Sequence, residues 1–271
     1  MFASKTLPVA VALLLGVGAA AEATTLKITV ENKAEIGGIT LTPLYTAFHN
    51  GGFDPFNVGE AASPGLQEIA EEGSPGGIAA ERQAAFPTSD GVAVFGTDGF
   101  PGAPVIEPGE VASATVNVDS ANRFFTFLSM VLPSNDTFIG QDDPTAYEVF
   151  SSAGDFLGTQ VIQVTGANIY DAGTEANLTD GSPFVPSLAG TTRTDEGGVV
   201  TPGQSLLNFA GLTVANGQVI DGALFDYLSD PAGFAVAEIR IEVVPIPASL
   251  PLLAAGLGLL GWSSRRRKGA T

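Results

Sequence analysis

The 271-residue chain has no cysteine and a single histidine, His49. Without thiols there is no disulfide framework and no thiolate metal site, so an exported form relies on core burial and hard-ligand metals. A lone histidine excludes metal sites and acid-base arrangements that need two or more histidines. His49 is expected to be structural or a loop donor. Positive charge is also scarce, with 11 basic against 29 acidic side chains. Within residues 24–244 the contrast sharpens to 28 acidic and 6 basic side chains, a net of −22. Such a surface repels nucleic acid and anionic membrane, and solubility accounts for most of it. One Trp and four Tyr are thin for a sugar-stacking cleft. Long apolar runs occur only at the two ends.

What is abundant is turn chemistry, 34 Gly and 18 Pro set mostly between short apolar runs. That punctuation suits an antiparallel all-β chain, and no linker divides the middle, so one domain is expected over 24–244. At the start, Lys5 precedes LPVAVALLLGVGAAA and Ala21-Glu22-Ala23 offers small residues at −3 and −1, the pattern of a secretory signal peptide over 1–23. At the other end, 245–271 combine Pro245, Pro247 and Ala248 with an apolar run interrupted by Gly256, Gly258 and Gly261, then Arg265, Arg266, Arg267 and Lys268. The basic cluster holds its end in the cytoplasm. The tail VPIPASLPLLAAGLGLLGWSSRRRKGAT resembles the PEP-CTERM class of sorting signals in its VPLPA variant. That resemblance implies a Gram-negative bacterium, often one making exopolysaccharide, transient inner-membrane anchoring through a transmembrane helix, and an exosortase-type enzyme that cuts near Pro247. The simpler alternative is a permanent anchor.

Between the ends, LKITVEN and ITLTPLYTAFH alternate as strands and are expected to pair as a hairpin about Gly37-Gly38. SPGLQEIAEEGSP carries the one expected short helix, with Ser63 as N-cap, Pro64 in the first turn and Gly73 as the stop. Its acidic face, Glu68, Glu71 and Glu72, suits solvent better than a cation. Residues 74–110 are Gly/Pro punctuated with short β-like runs such as VAVF, and DGVAVFGTDGF lacks the ligand pattern of an EF-hand and is taken as a turn. Glu110 to Asp119 alternates as a half-buried strand. The final strand, FAVAEIRIEVV, is expected to place Ala235, Ala237, Ile239 and Ile241 on one face. Asn177 to Gln204 forms a long Gly/Ser/Thr/Pro-rich loop. Asn177-Leu178-Thr179 meets the N-glycosylation pattern, which informs only in a eukaryotic host.

The chemistry concentrates in two places. FFTFLSMVLPSNDTFIG is an apolar core strand that delivers Asp136 to its mouth, and VIQVTGANIY ends in Asp171-Ala-Gly-Thr-Glu175. The two strand ends can share one rim. Two carboxylates brought together repel unless one takes a proton or a cation lies between them, and with oxygen ligands and no thiol the cation of choice is calcium. Asp142, Asp143 and Glu175 are further acidic candidates.

PSNDTFIG and YDAGTE resemble the paired signature of the spondin-N domain, and ITVENKAEIGGITLTPLYTAFHNGGFDPFNVGEAASPGL resembles the bacterial branch of that family, so the likeness spans about residues 26–243. The resemblance implies a β-sandwich similar to C2 domains, holding one calcium ion by two aspartates that fall on Asp136 and Asp171. A third acidic position falls on Asn117, where a neutral oxygen weakens the site. The implied function is a non-enzymatic, surface-displayed calcium-binding adhesion or matrix module. Its partner would be an envelope or exopolysaccharide component or another surface protein. The alternatives are a secreted polysaccharide hydrolase using Asp136 and Asp171 as a carboxylate pair, and a structural envelope domain with no metal.

Overall fold

The computed structural model describes residues 23–96, 103–188 and 193–245. Among them, two antiparallel sheets pack into a sandwich, as the spacing of turns predicts. The smaller sheet runs β5 (Val111–Val118), β1 (Thr24–Asn32), β12 (Ala235–Val243), β9 (Gln160–Thr165). The larger runs β11 (Thr201–Pro202), β10 (Ile169–Asp171), β7 (Thr137–Ile139), β6 (Phe124–Leu132), β3 (Leu44–His49), β4 (Asp90–Val94), with β2 (Thr40–Leu41) and β8 (Tyr147–Glu148) also pairing with β6.

The alternation in β1 buries Leu26, Ile28 and Val30 against the other sheet, where Phe125 and Phe127 of β6 and Phe48 of β3 complete the core. β6 is apolar almost throughout because it is covered on both sides. Its Leu128 faces the other way, into a second cluster with Leu66, Ile69 and Ala70 of the helix α1 (Pro64–Glu72). The cap is as expected, with Ser63 Oγ accepting from Leu66 N at 3.1 Å and Gly73 at φ 65° stopping the helix.

Four details differ from the expectations. β1 and β3 are not a hairpin, because β1 lies between β5 and β12 in the smaller sheet while the chain crosses at Gly37-Gly38 to the larger one. Asn32 fixes that crossover, donating from Nδ2 to Ile39 O and Ile106 O, both at 2.9 Å. A second helix, α2 (Gly76–Ala85), occupies part of the Gly/Pro-rich stretch. Its AAERQAA run is composed of strong helix formers, and Arg82 is buried beneath it, donating to Tyr45 Oη at 2.7 Å and Ser89 O at 2.6 Å. The VAV of the β-like VAVF run lies in strand β4, which begins at Asp90, so the start of the DGVAVFGTDGF stretch is strand and not a turn. In β12 a bulge between Ala235 and Ala237 turns Ala235 outward and Val236 into the core, while Ala237, Ile239 and Ile241 keep the expected face.

The apolar runs of the signal-peptide and sorting-tail readings lie outside the described residues. Among the described residues no helix is long and apolar enough to cross a membrane.

Candidate functional site: a buried carboxylate cage

The VIQVTGANIY run is two strands. β9 belongs to the smaller sheet, a single 3-10 turn at Gly166–Asn168 carries the chain across, and β10 continues in the larger sheet. β10 pairs with β7 so that Asp171 opposes Thr137, and Ala172 N donates to Asp136 O at 3.2 Å. Register therefore sets Asp136 and Asp171 side by side at one end of the sheet. Both are buried, at 0% and 2% exposure.

Asp136 Oδ2 accepts from the backbone of Thr174 at 2.8 Å and of Glu175 at 3.0 Å, which ties the DAGTE turn onto the PSND loop. Its Oδ1 and Asp171 Oδ2 both face the side-chain nitrogen of Asn177, at 3.0 and 2.7 Å, and Thr137 Oγ1 lies 3.0 Å from the same nitrogen. Asn177 is held the right way round by its Oδ1, which accepts from Asn135 N at 2.8 Å. Beyond this cage, Glu175 Oε1 accepts from Asn135 Nδ2 at 3.1 Å, and Arg193 bridges Glu175 to Glu71 of α1. Burial raises the Asp136 carboxyl above its ordinary range in spite of the two amides. Burial and the charge of Asp136 push Asp171 up to about 7. Near neutral pH the pair shares a proton or needs a cation.

The other candidates are placed elsewhere. Asn117 lies on β5 in the smaller sheet, and its Oδ1 accepts from Thr25 Oγ1 at 2.7 Å, so the structure does not bring it together with Asp136 and Asp171. Asp142 and Asp143 follow the far end of β7 and accept from Val58 N at 2.9 Å and Thr145 N at 2.8 Å. Of the acidic candidates, Glu175 adjoins the cage through Asn135. On α1 only Glu72 is a solvated acid, since Glu71 takes Arg193 and Glu68 takes Ser74. His49 is structural, fully buried between Phe53 and Phe124, but it acts as an acceptor for Gly51 N at 3.1 Å.

Three contributors went unread in the sequence. Thr137 carries no signal beyond its place in the strand, Asn135 reads as part of the polar PSND loop, and Asn177 reads only as a glycosylation pattern. With its nitrogen against three oxygens, the Asn177 amide has no room for a glycan.

The Spondin_N family profile matches residues 37–195, which is more than half of the chain. The chain belongs to the Spondin_N family. The match contains the whole cage, and it is shorter than the span of 26–243 drawn from the sequence, leaving β1 and β12 outside it. Spondin_N is an extracellular, adhesion-type domain family, which suggests an exported module. No curated protein matches the chain in sequence.

The donor set can be tested for calcium. Two carboxylates and a hydroxyl converge on one point, all hard oxygens. In the same loops Asn135 Oδ1 and Ser182 Oγ are buried with no hydrogen-bond partner, although nearly all buried polar atoms in folded proteins have one. Among the described residues there is no group of three or more His, Cys, Asp and Glu placed to hold a metal. The residues therefore fit a site of two carboxylates completed by neutral oxygens, which belongs to the weaker range of calcium affinity.

Proposed function

We propose that the protein is a secreted, surface-sorted, non-enzymatic adhesion or matrix module whose cage of Asp136, Asp171 and Thr137 holds one calcium ion. The observation that carries this is the convergence of three buried oxygens within 3.0 Å of a single point. Calcium there would neutralise the pair and lock the DAGTE turn to the PSND loop, fixing the rim that meets a partner. The acidic surface directs that partner role toward neutral or calcium-bridged envelope polysaccharide, or another surface protein, and away from nucleic acid. The hydrolase alternative is disfavoured by the same geometry. Its carboxylates would have to stand across an open cleft, whereas these two are buried about one amide nitrogen.

A second reading is supported by Asn177, whose amide already stands between the carboxylates, so that the module is metal-free and the pair is held by that amide and a proton. Calorimetric titration of the full chain in detergent with CaCl2 separates the two. Calcium uptake lost in both Asp136→Ala and Asp171→Ala supports the first; no uptake by the unmodified chain leaves the second. Export and sorting are read from the ends of the sequence. Mass spectrometry of protein recovered from the envelope or medium is expected to find a C-terminus near Pro247, and an intact Thr271 in the inner membrane would replace sorting with permanent anchoring.

A further inference from the structure

The Asn177 side chain makes more contacts than an amide can satisfy. An NH2 group has two hydrogens, yet the nitrogen stands 2.7 Å from Asp171 Oδ2 and 3.0 Å from both Asp136 Oδ1 and Thr137 Oγ1. It brings only a partial positive charge to two carboxylates. A hard divalent cation uses all such oxygens at once, at 2.3–2.6 Å for calcium in general, and the nitrogen and a cation cannot occupy one point. A simple flip of the amide does not resolve this. It would put Nδ2 against Asn135 N, the donor that now reaches Oδ1 at 2.8 Å, donor facing donor.

We propose that Asn177 is a displaceable internal plug of the carboxylate cage, so that a divalent cation enters only as this side chain leaves. The proposal rests on the calcium reading above and adds its control. The plug holds the metal-free rim in shape and lowers the apparent affinity for the cation, because its hydrogen bonds must be given up on entry. It also links the cage to the surface. Asn177 O accepts from Asn208 Nδ2 at 2.8 Å, and the next residue, Leu178, is 47% exposed, so withdrawal of the side chain shifts the start of the 177–188 loop and its tether.

A plug and a ligand predict opposite signs for one substitution. In calorimetric titrations of the full chain in detergent with CaCl2, Asn177→Ala is expected to bind calcium about tenfold more tightly than the unmodified chain, the order set by one net hydrogen bond to a charged group. Its calcium-free melting temperature falls at the same time. Should that variant fold only with calcium, hydrogen exchange of the unmodified chain decides the matter, with backbone exchange at 177–182 expected to quicken on calcium saturation. Unmodified chain that binds calcium while Asn177→Ala binds equally or more weakly, or while 177–182 become more protected, overturns the plug and leaves the calcium reading standing. No calcium uptake by the unmodified chain overturns both.

Discussion

Asp171 and His49 titrate in opposite senses, and the calcium-free protein carries both. Burial and Asp136 raise the Asp171 carboxyl from 3.8 to about 7, so its contribution to stability is full below pH 3.8 and is lost as pH rises through 7. Burial, with the charge of Arg82, lowers His49 from 6.5 to about 4, so its contribution is full above pH 6.5 and is lost as pH falls through 4. The two contributions have opposite slopes, so between pH 4 and 6.5 they offset each other. Urea unfolding in chelator is therefore expected to give a shallow profile over that interval. Asp171→Asn should uncover the His49 slope, with stability rising from pH 4 to 6.5, and His49→Phe should uncover the Asp171 slope, with stability falling over the same range. Profiles parallel to that of the unmodified chain would show that neither group titrates as its burial requires. The aspartates were legible because each follows an apolar strand at a polar turn. Asn177 was not, because an asparagine in a loop looks the same whether its amide faces solvent or two carboxylates.

The two ends of α1 were also legible, and they are unequal in cost. Ser63 supplies one hydrogen bond to an otherwise unpaired N–H, so Ser63→Ala should cost about 1 kcal/mol. Gly73 stands at φ 65°, and a Cβ there would meet Thr42 Cγ2 at 2.3 Å, so Gly73→Ala adds a steric clash to the backbone strain and should cost clearly more than Ser63→Ala. Denaturant midpoints of the two variants check the ranking, and equal midpoints would mean that α1 shifts to relieve the clash. The second helix escaped the sequence reading because Gly76 and Gly77 open it and Pro75 precedes it, the same residues that announce a loop. Gly77 has a packing reason. A Cβ on Gly77 would meet Gly65 Cα of α1 at 3.1 Å and Glu68 Oε2 at 2.4 Å, so close approach of α2 to α1 is what the glycine allows. The expected hairpin of β1 and β3 failed for a related cause. Alternation tells which face of a strand is buried and says nothing of which strand lies beside it.

At the scale of the molecule, the family match and the folding unit do not coincide. Residues 37–195 contain the cage, both helices and most of the larger sheet, but they omit β1 and β12, the two inner strands of the smaller sheet. β5 pairs with β1, and β9 pairs with β12, so a fragment cut at the match would leave both strands without a partner. It would also lose Leu26, Ile28, Val30, Val236, Ile239 and Ile241, all fully buried in the core between the sheets. At about 1.5–3 kcal/mol for each such side chain, their removal forfeits roughly 9–18 kcal/mol, against the roughly 5–15 kcal/mol by which domains are stable at all. The fragment 37–195 is therefore expected to show no cooperative thermal transition and to bind no calcium, whereas 24–245, which restores both strands, should melt cooperatively. The same sequence positions explain why N- and C-terminal processing would have to spare the strands themselves. Thr24 is the first residue of β1, and Val244 N, just past β12, still donates to Thr25 O at 2.9 Å. A cooperative melt of 37–195 by calorimetry would show that the larger sheet and its helices fold without the second layer, and the sandwich would then be two units instead of one.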